Sequence, residues 1–191
     1  MSKNNYSKEK TIQDKLDELE LIKKNNKFWN ISKEQGEILA KIILNKKPKN
    51  ILEIGTSNGY STLYLAKNLE KDSKITTIEV NDERYEIAKN NFSDCNIKNI
   101  IQIKGEILEI LNTDILKNEK FDFIFLDALQ REYLNLIKII EEQNLLTTNG
   151  IIIADNVLSH GNMAEFIKYM QEKYKTEIIE IDDGFLIAEN K

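Results

Sequence analysis

With 191 residues, 41% hydrophobic and 31% charged, the chain has the size and composition of one folded domain with its own core, which excludes a disordered or fibrous polypeptide. A formal net charge of −5 argues against a nucleic-acid partner, and the single Cys95 excludes a disulfide framework and any cysteine-rich metal site. The opening "MSKNNYSKEK" lacks the apolar core of a signal peptide and no apolar run approaches membrane-spanning length, so a cytoplasmic protein without membrane contact is expected.

Residues 8–25 place Ile12, Leu16, Leu19 and Ile22 on one helical stripe, with charges elsewhere. That stripe has two uses open to it, covering the domain's own surface or meeting a second copy in a homodimer. A second helix is predicted over 33–45, carrying Ile38, Leu39, Ile42 and Ile43 behind Ser32 as N-cap. These two helices make an N-terminal part, residues 1–46, of a single domain whose α/β core occupies 47–191.

From there strand-like and helix-like segments alternate. "NILEI" (50–54), "KITTIEV" (74–80), "NIIQIK" (99–104), "FDFIFLD" (121–127) and "GIIIAD" (150–155) are short and rich in β-branched and aromatic residues, as strands buried on both faces are. Helical spacing runs over 60–70, 82–94, 106–117 and 130–144. The alternation predicts a Rossmann-like α/β fold, a mainly parallel sheet with helices on both faces and right-handed crossovers. The rhythm then changes. A helix over 161–174 precedes Thr176–Ile181, the turn "DDG" and Phe185–Glu189, and Asp-Gly between two strand-like runs signals a hairpin. The sheet is therefore expected to have seven strands and to close with an antiparallel pair.

Ligands of open parallel sheets bind beyond the carboxyl ends of the strands, so the loop after the first strand is the first place to look. It reads "ILEIGTSNGYS", with Gly55 and Gly59 bracketing a tight turn into a helix. Glu79 closes the second strand, twenty residues past Gly59, where an acid commonly holds ribose hydroxyls. Either residue has a plainer use, Gly55 as a chain turn and Glu79 as a solvated strand end. Loop and acid together favour a cofactor containing a nucleoside. NAD fits poorly, because its G-x-G-x-x-G pattern meets Ser57 and Tyr60 at the second and third glycine places.

"LEIGTSNGYST" resembles the first motif of class I S-adenosylmethionine (SAM)-dependent methyltransferases, in the branch of small metal-dependent O-methyltransferases. That branch includes catechol and caffeoyl-CoA O-methyltransferases and bacterial relatives acting on small phenols or on tRNA hydroxyuridine. The resemblance runs from about residue 30 to the closing hairpin. It implies that Glu53, Gly55, Thr56 and Ser61 surround the amino-acid end of SAM, that Gly59 also binds the cofactor, that Tyr60 lies near its methionine end, and that Glu79 holds the ribose. Glu106 in "KGEIL" matches a position near adenine where Asp is usual.

Two strands end in acids. Asp127 closes one, and Asp155 with Asn156 closes the next, and in this topology the two strands are neighbours. Two carboxylates and an amide oxygen are hard, oxygen-only donors suited to Mg²⁺, Mn²⁺ or Ca²⁺. Loop capping is the alternative use of such residues. The resemblance implies the metal role, since Asp127, Asp155 and Asn156 fall on the family's three protein ligands. It also implies a lysine three residues after Asp127, where this chain has Gln130, which cannot accept a proton as a base. His160, the only histidine, is the substitute base or else a surface residue. Tyr133 and Trp29 are either pocket walls or packing residues. The expectation is a SAM- and divalent-metal-dependent O-methyltransferase acting on a small catechol-like hydroxyl acceptor. The alternatives are a tRNA-modifying enzyme using the N-terminal lysines, a SAM-binding protein with little catalysis, and an NAD-dependent oxidoreductase.

Overall fold

The computed structural model describes residues 10–22, 28–159 and 163–191. The elements in chain order are α1 (Ile12–Ile22), α2 (Lys33–Lys46), β1 (Asn50–Ile54), α3 (Tyr60–Ala66), β2 (Lys74–Glu79), α4 (Asp82–Asp94), β3 (Ile100–Lys104), α5 (Ile107–Leu111), β4 (Phe121–Leu126), α6 (Tyr133–Glu142), β5 (Leu146–Ala154), α7 (Ala164–Lys173), β6 (Tyr174–Ile179) and β7 (Phe185–Asn190). One seven-stranded sheet has the order β3-β2-β1-β4-β5-β7-β6. Neighbours pair in parallel from β3 through β5, and β7 runs antiparallel to both β5 and β6.

The strand order carries the functional consequence. β1 lies between β2 and β4, so the chain leaves β1 in one direction across the sheet and later returns to the other side. Such a switch opens a crevice at the carboxyl ends of the central strands. The flanking residues pack two apolar layers. One, on the β1–α3 side, gathers Leu39, Ile43, Ile51, Tyr60, Leu63 and Tyr64; the other, under α6 and α7, gathers Leu126, Tyr133, Leu136, Ile137 and Phe166. The middle strands are buried on both faces, as their unbroken apolar runs require.

Several boundaries differ from those read in the sequence. β3 is an edge strand, and Ile101 is half exposed rather than buried on a second face. The segment 106–117 is helical only over Ile107–Leu111; past its end the Asn112 and Thr113 side chains donate to the Leu108 and Ile110 carbonyls, both at 2.7 Å. The stretch 130–144 opens as a 3-10 turn, Gln130–Glu132, before α6. β5 begins at Leu146, earlier than expected, with a register irregularity opposite Phe121–Phe123. On α1, Leu16 and Leu19 are buried in the chain's own core beside α3 while Ile22 is half exposed, so the stripe serves this domain first. Among the described residues no helix is long and apolar enough to cross a membrane.

Candidate active site

Beyond the carboxyl ends of β1, β2, β4 and β5 lies a cleft of about 790 Å³. Its first wall is the glycine loop. Gly55 holds φ +105°, and a Cβ there would lie 1.9 Å from the Asp127 carbonyl oxygen, so only glycine lets the β1 and β4 exits cross this closely. Gly59, at φ +85°, starts α3, where a side chain would strike the Phe92 ring. Between them Ser57 takes a left-handed conformation, and its hydroxyl donates to the Phe28 carbonyl at 2.9 Å.

Two acids support that loop in different ways. The Glu79 carboxylate faces the cleft and accepts the backbone N–H groups of Ser57 at 2.7 Å and Asn81 at 2.8 Å. Each oxygen keeps acceptor capacity for a ligand hydroxyl. Glu53 lies beneath the loop instead, fully buried. It accepts the hydroxyls of Ser61 and Thr77, each at 2.6 Å, and that of Thr62. Burial pushes its carboxyl up to about 7, against the pull of those three donors. Thr56 joins the same network through Thr77, at 2.5 Å. Of the seven residues expected around a cofactor, Gly55, Glu79 and Glu106 line the cleft in this structure. Glu53, Thr56, Gly59 and Ser61 build the loop from behind.

Glu106 also caps α5, its carboxylate oxygen 3.4 Å from the Leu108 N–H. Tyr60 does not line the cleft: its ring meets Tyr64 edge-on at 5.2 Å, and its hydroxyl bonds Glu20. Tyr133 is a packing residue too, fully buried against Phe166, with its hydroxyl donating to the Leu126 carbonyl at 3.1 Å. Trp29 does line the cleft. It is 70% exposed, at φ 47°, with the Arg84 guanidinium 4.7 Å from its ring centroid.

The second half of the cleft is acidic. Leu126 and Ala154 are register partners, so Asp127 and Asp155 leave adjacent strands side by side. The Asp127 N–H is held by the Ile54 carbonyl and the Asp155 N–H by that of Leu126, both at 2.9 Å. Burial, followed by the charge of Asp155, holds the Asp127 carboxyl well above the usual range. Burial pushes Asp155 up to about 7, opposed by its bonds to Asn156 and Gln35 and reinforced by Asp183 and Asp182. Asp155 accepts Gln35 Nε2 at one oxygen and Asn156 Nδ2 at the other, both at 2.9 Å. Asn156 sits at φ 59°, a left-handed position asparagine tolerates.

No Lys or Arg side chain bonds Asp127 or Asp155 among the described residues. Two clustered carboxylates that burial disfavours as anions, beside an amide that offers oxygen, fit a divalent cation as hard donors. Gln130 also lines the cleft, in the turn after β4. His160 lies outside the described residues.

The sequence reading missed three contributors. Gln35 could have been found, since "SKEQ" is a capping box, but the aim of its side chain has no sequence signature. Asp182 and Asp183, read only as a hairpin turn, reach the cleft because Val157 and Leu158 donate their N–H groups to the Gly184 and Asp183 carbonyls at 3.2 and 2.7 Å.

The sheet order, glycine loop and acid-closed second strand define the class I, SAM-dependent methyltransferase class. The O-methyltransferase family model matches residues 3–188, and the chain belongs to that family, an enzyme of methyl transfer. It is 30% identical over 172 residues to caffeoyl-CoA O-methyltransferase of Medicago sativa, covering 83% of this chain and 68% of that one. It is 29% identical over 145 residues to catechol O-methyltransferase B of Danio rerio, covering 74% of this chain and 54% of the relative. The crystal structure of an O-methyltransferase from Bacillus cereus in complex with SAH superimposes with TM-score 0.82 at 25% identity, covering 93% of this chain and 90% of that one.

Proposed function

We propose that this chain transfers the methyl group of SAM to one of two neighbouring hydroxyls on a small, catechol-like acceptor, with Asp127, Asp155 and Asn156 holding a divalent cation, Mg²⁺ for preference. The observation that carries the reading is the meeting of those three residues, at adjacent strand ends, with the glycine loop and Glu79 in one cleft. The caffeoyl-CoA and catechol relatives and the SAH-bound neighbour support it.

Each residue has a part. The Gly55–Gly59 loop brings backbone against the cofactor's amino-acid end, Glu79 accepts ribose hydroxyls, and Glu106 stands at the adenine end. Methyl transfer from a sulfonium is an in-line displacement, so the acceptor oxygen must be held close and aligned. A divalent cation at the three oxygen donors would hold two acceptor oxygens together and lower the pKa of the one that is methylated. Gln130 can orient an acceptor oxygen by donating a hydrogen bond, but it cannot remove the proton. Trp29 supplies an apolar wall for a flat acceptor.

Gln130 also favours a second reading, a SAM-binding protein with little catalysis. A tRNA acceptor is disfavoured by the net charge of −5. We place the enzyme in the cytoplasm, as a homodimer. The test is a thermal-shift panel of SAM, S-adenosylhomocysteine and NAD, each with and without Mg²⁺. S-adenosylhomocysteine at a hundredfold excess over its Kd should stabilise the fold by about 2.7 kcal/mol. Stabilisation by NAD alone would overturn the reading.

A further inference from the structure

Gln35 has no part in the reaction as described, yet its side chain is buried and bridges two distant parts of the chain. It sits at the third position of α2, 120 residues before Asp155. Its Oε1 accepts the Ser32 N–H at 2.9 Å, and its own N–H donates to Ser32 Oγ at 3.1 Å, a reciprocal capping box. A capping box uses only the amide oxygen. The Nε2 of Gln35 is therefore free to donate elsewhere, and it donates to Asp155 Oδ1 at 2.9 Å. Glutamate at this place could make the capping bond but not the second one. Asp155 Oδ2 is occupied by Asn156 Nδ2, so the two amides fix the carboxylate plane from opposite sides.

We infer that Gln35 is a positioning residue for the cation site: it fixes the orientation of the Asp155 carboxylate and ties it to the start of α2. The inference rests on the metal reading proposed above. Outer groups that orient metal-ligating carboxylates are worth roughly 10- to 100-fold in metal affinity. The tie has a second consequence. The segment just before Ser32 forms part of the cleft wall and is held at its other end by the bond from Ser57 to the Phe28 carbonyl. The stretch between cofactor loop and cation site is thus anchored at both ends.

The test is Mn²⁺ titration, by calorimetry or electron paramagnetic resonance, of wild type, Ser32→Ala, Gln35→Met and Gln35→Lys, with S-adenosylhomocysteine binding as the check on the fold. Ser32→Ala removes a capping hydroxyl and leaves Gln35 anchored through the Ser32 N–H. It should lose thermal stability but keep its Mn²⁺ affinity to within about threefold. Gln35→Met keeps the side-chain length, loses both bonds, and should bind Mn²⁺ at least about tenfold more weakly while binding S-adenosylhomocysteine normally. Gln35→Lys sets an ammonium against Asp155 and should weaken Mn²⁺ further, so the inference stays testable if the methionine variant folds poorly. Mn²⁺ affinity equal in Gln35→Met and Ser32→Ala would overturn the inference and leave the metal reading standing. Absence of Mn²⁺ binding by the wild type would overturn both, and is told apart because the unmutated protein already shows it.

Discussion

Replacing Gly55 by alanine perturbs the cofactor loop and the cation site through one atom. The new Cβ would stand 1.9 Å from the Asp127 carbonyl oxygen, where real Cβ contacts essentially never fall below 3.0 Å, so one backbone must retreat by the difference, 1.1 Å. Both partners are strand exits, and neither is a flexible side chain that can swing aside. The φ of +105° adds its own cost, about 1–2 kcal/mol for an L-residue. Backbone displacement in packed surroundings adds roughly 1–3 kcal/mol. The sum, about 2–5 kcal/mol, corresponds to a fall of roughly 4–20 °C in Tm for a chain of this size. Calorimetry measures that fall, and titrations with S-adenosylhomocysteine and Mn²⁺ on the folded variant should both show weakened binding, since the loop and Asp127 move together. A Gly55→Ala protein melting within about 2 °C of wild type, with both affinities unchanged, would refute the reasoning.

Glu53 and Asp155, both pushed up to about 7, hold their protons more tightly folded than unfolded. Between pH of about 4 and 7 the folded chain then binds more protons, and the stability these groups contribute is full below that window and lost as pH rises through it. Denaturant titrations of metal-free protein should show that loss reduced in Glu53→Gln; an unchanged pH slope would sink the assignment. If chelation alone activates the acceptor, His160→Ala should leave the pH–rate profile nearly intact. If His160 is the base, the variant should fall roughly 10²–10⁴-fold and lose its acidic limb near pH 6–7. Gln130→Lys should raise the rate if a missing base holds it down, which steady-state kinetics would detect. Light scattering at micromolar concentration should report a dimer, and a monomer would remove that part of the proposal.

Most of the sheet was legible because buried strands have few ways to look. Unbroken apolar runs located β1, β2 and β4 to within a residue or two, and "DDG" announced the hairpin. What failed was set by neighbours rather than by local pattern. "NIIQIK" reads like a central strand, but β3 stands at the edge of the sheet and no described strand pairs with its outer side. Residues 106–117 carry helical spacing, yet the helix stops at Leu111, where side chains of Asn112 and Thr113 take up its last carbonyls. In the site, Asp127, Asp155 and Glu79 were visible as acids at strand ends, where an apolar run gives no reason for charge. Ser61 bonds Glu53 and Thr56 bonds Thr77 beneath the loop, pairings for which the sequence carries no local signal. The bond from Gln35 to Asp155 was invisible for a related reason: the two lie far apart along the sequence.

The central claim is metal-dependent methyl transfer, and it is tested most directly by following methyl transfer from SAM to a catechol acceptor with Mg²⁺ or with a chelator, in wild type and Asp155→Ala. The account predicts methylation by the wild type with Mg²⁺, loss of turnover on chelation, and an inactive Asp155→Ala protein that still binds S-adenosylhomocysteine as the wild type does. Undiminished methylation in the presence of chelator, or by Asp155→Ala, would contradict it.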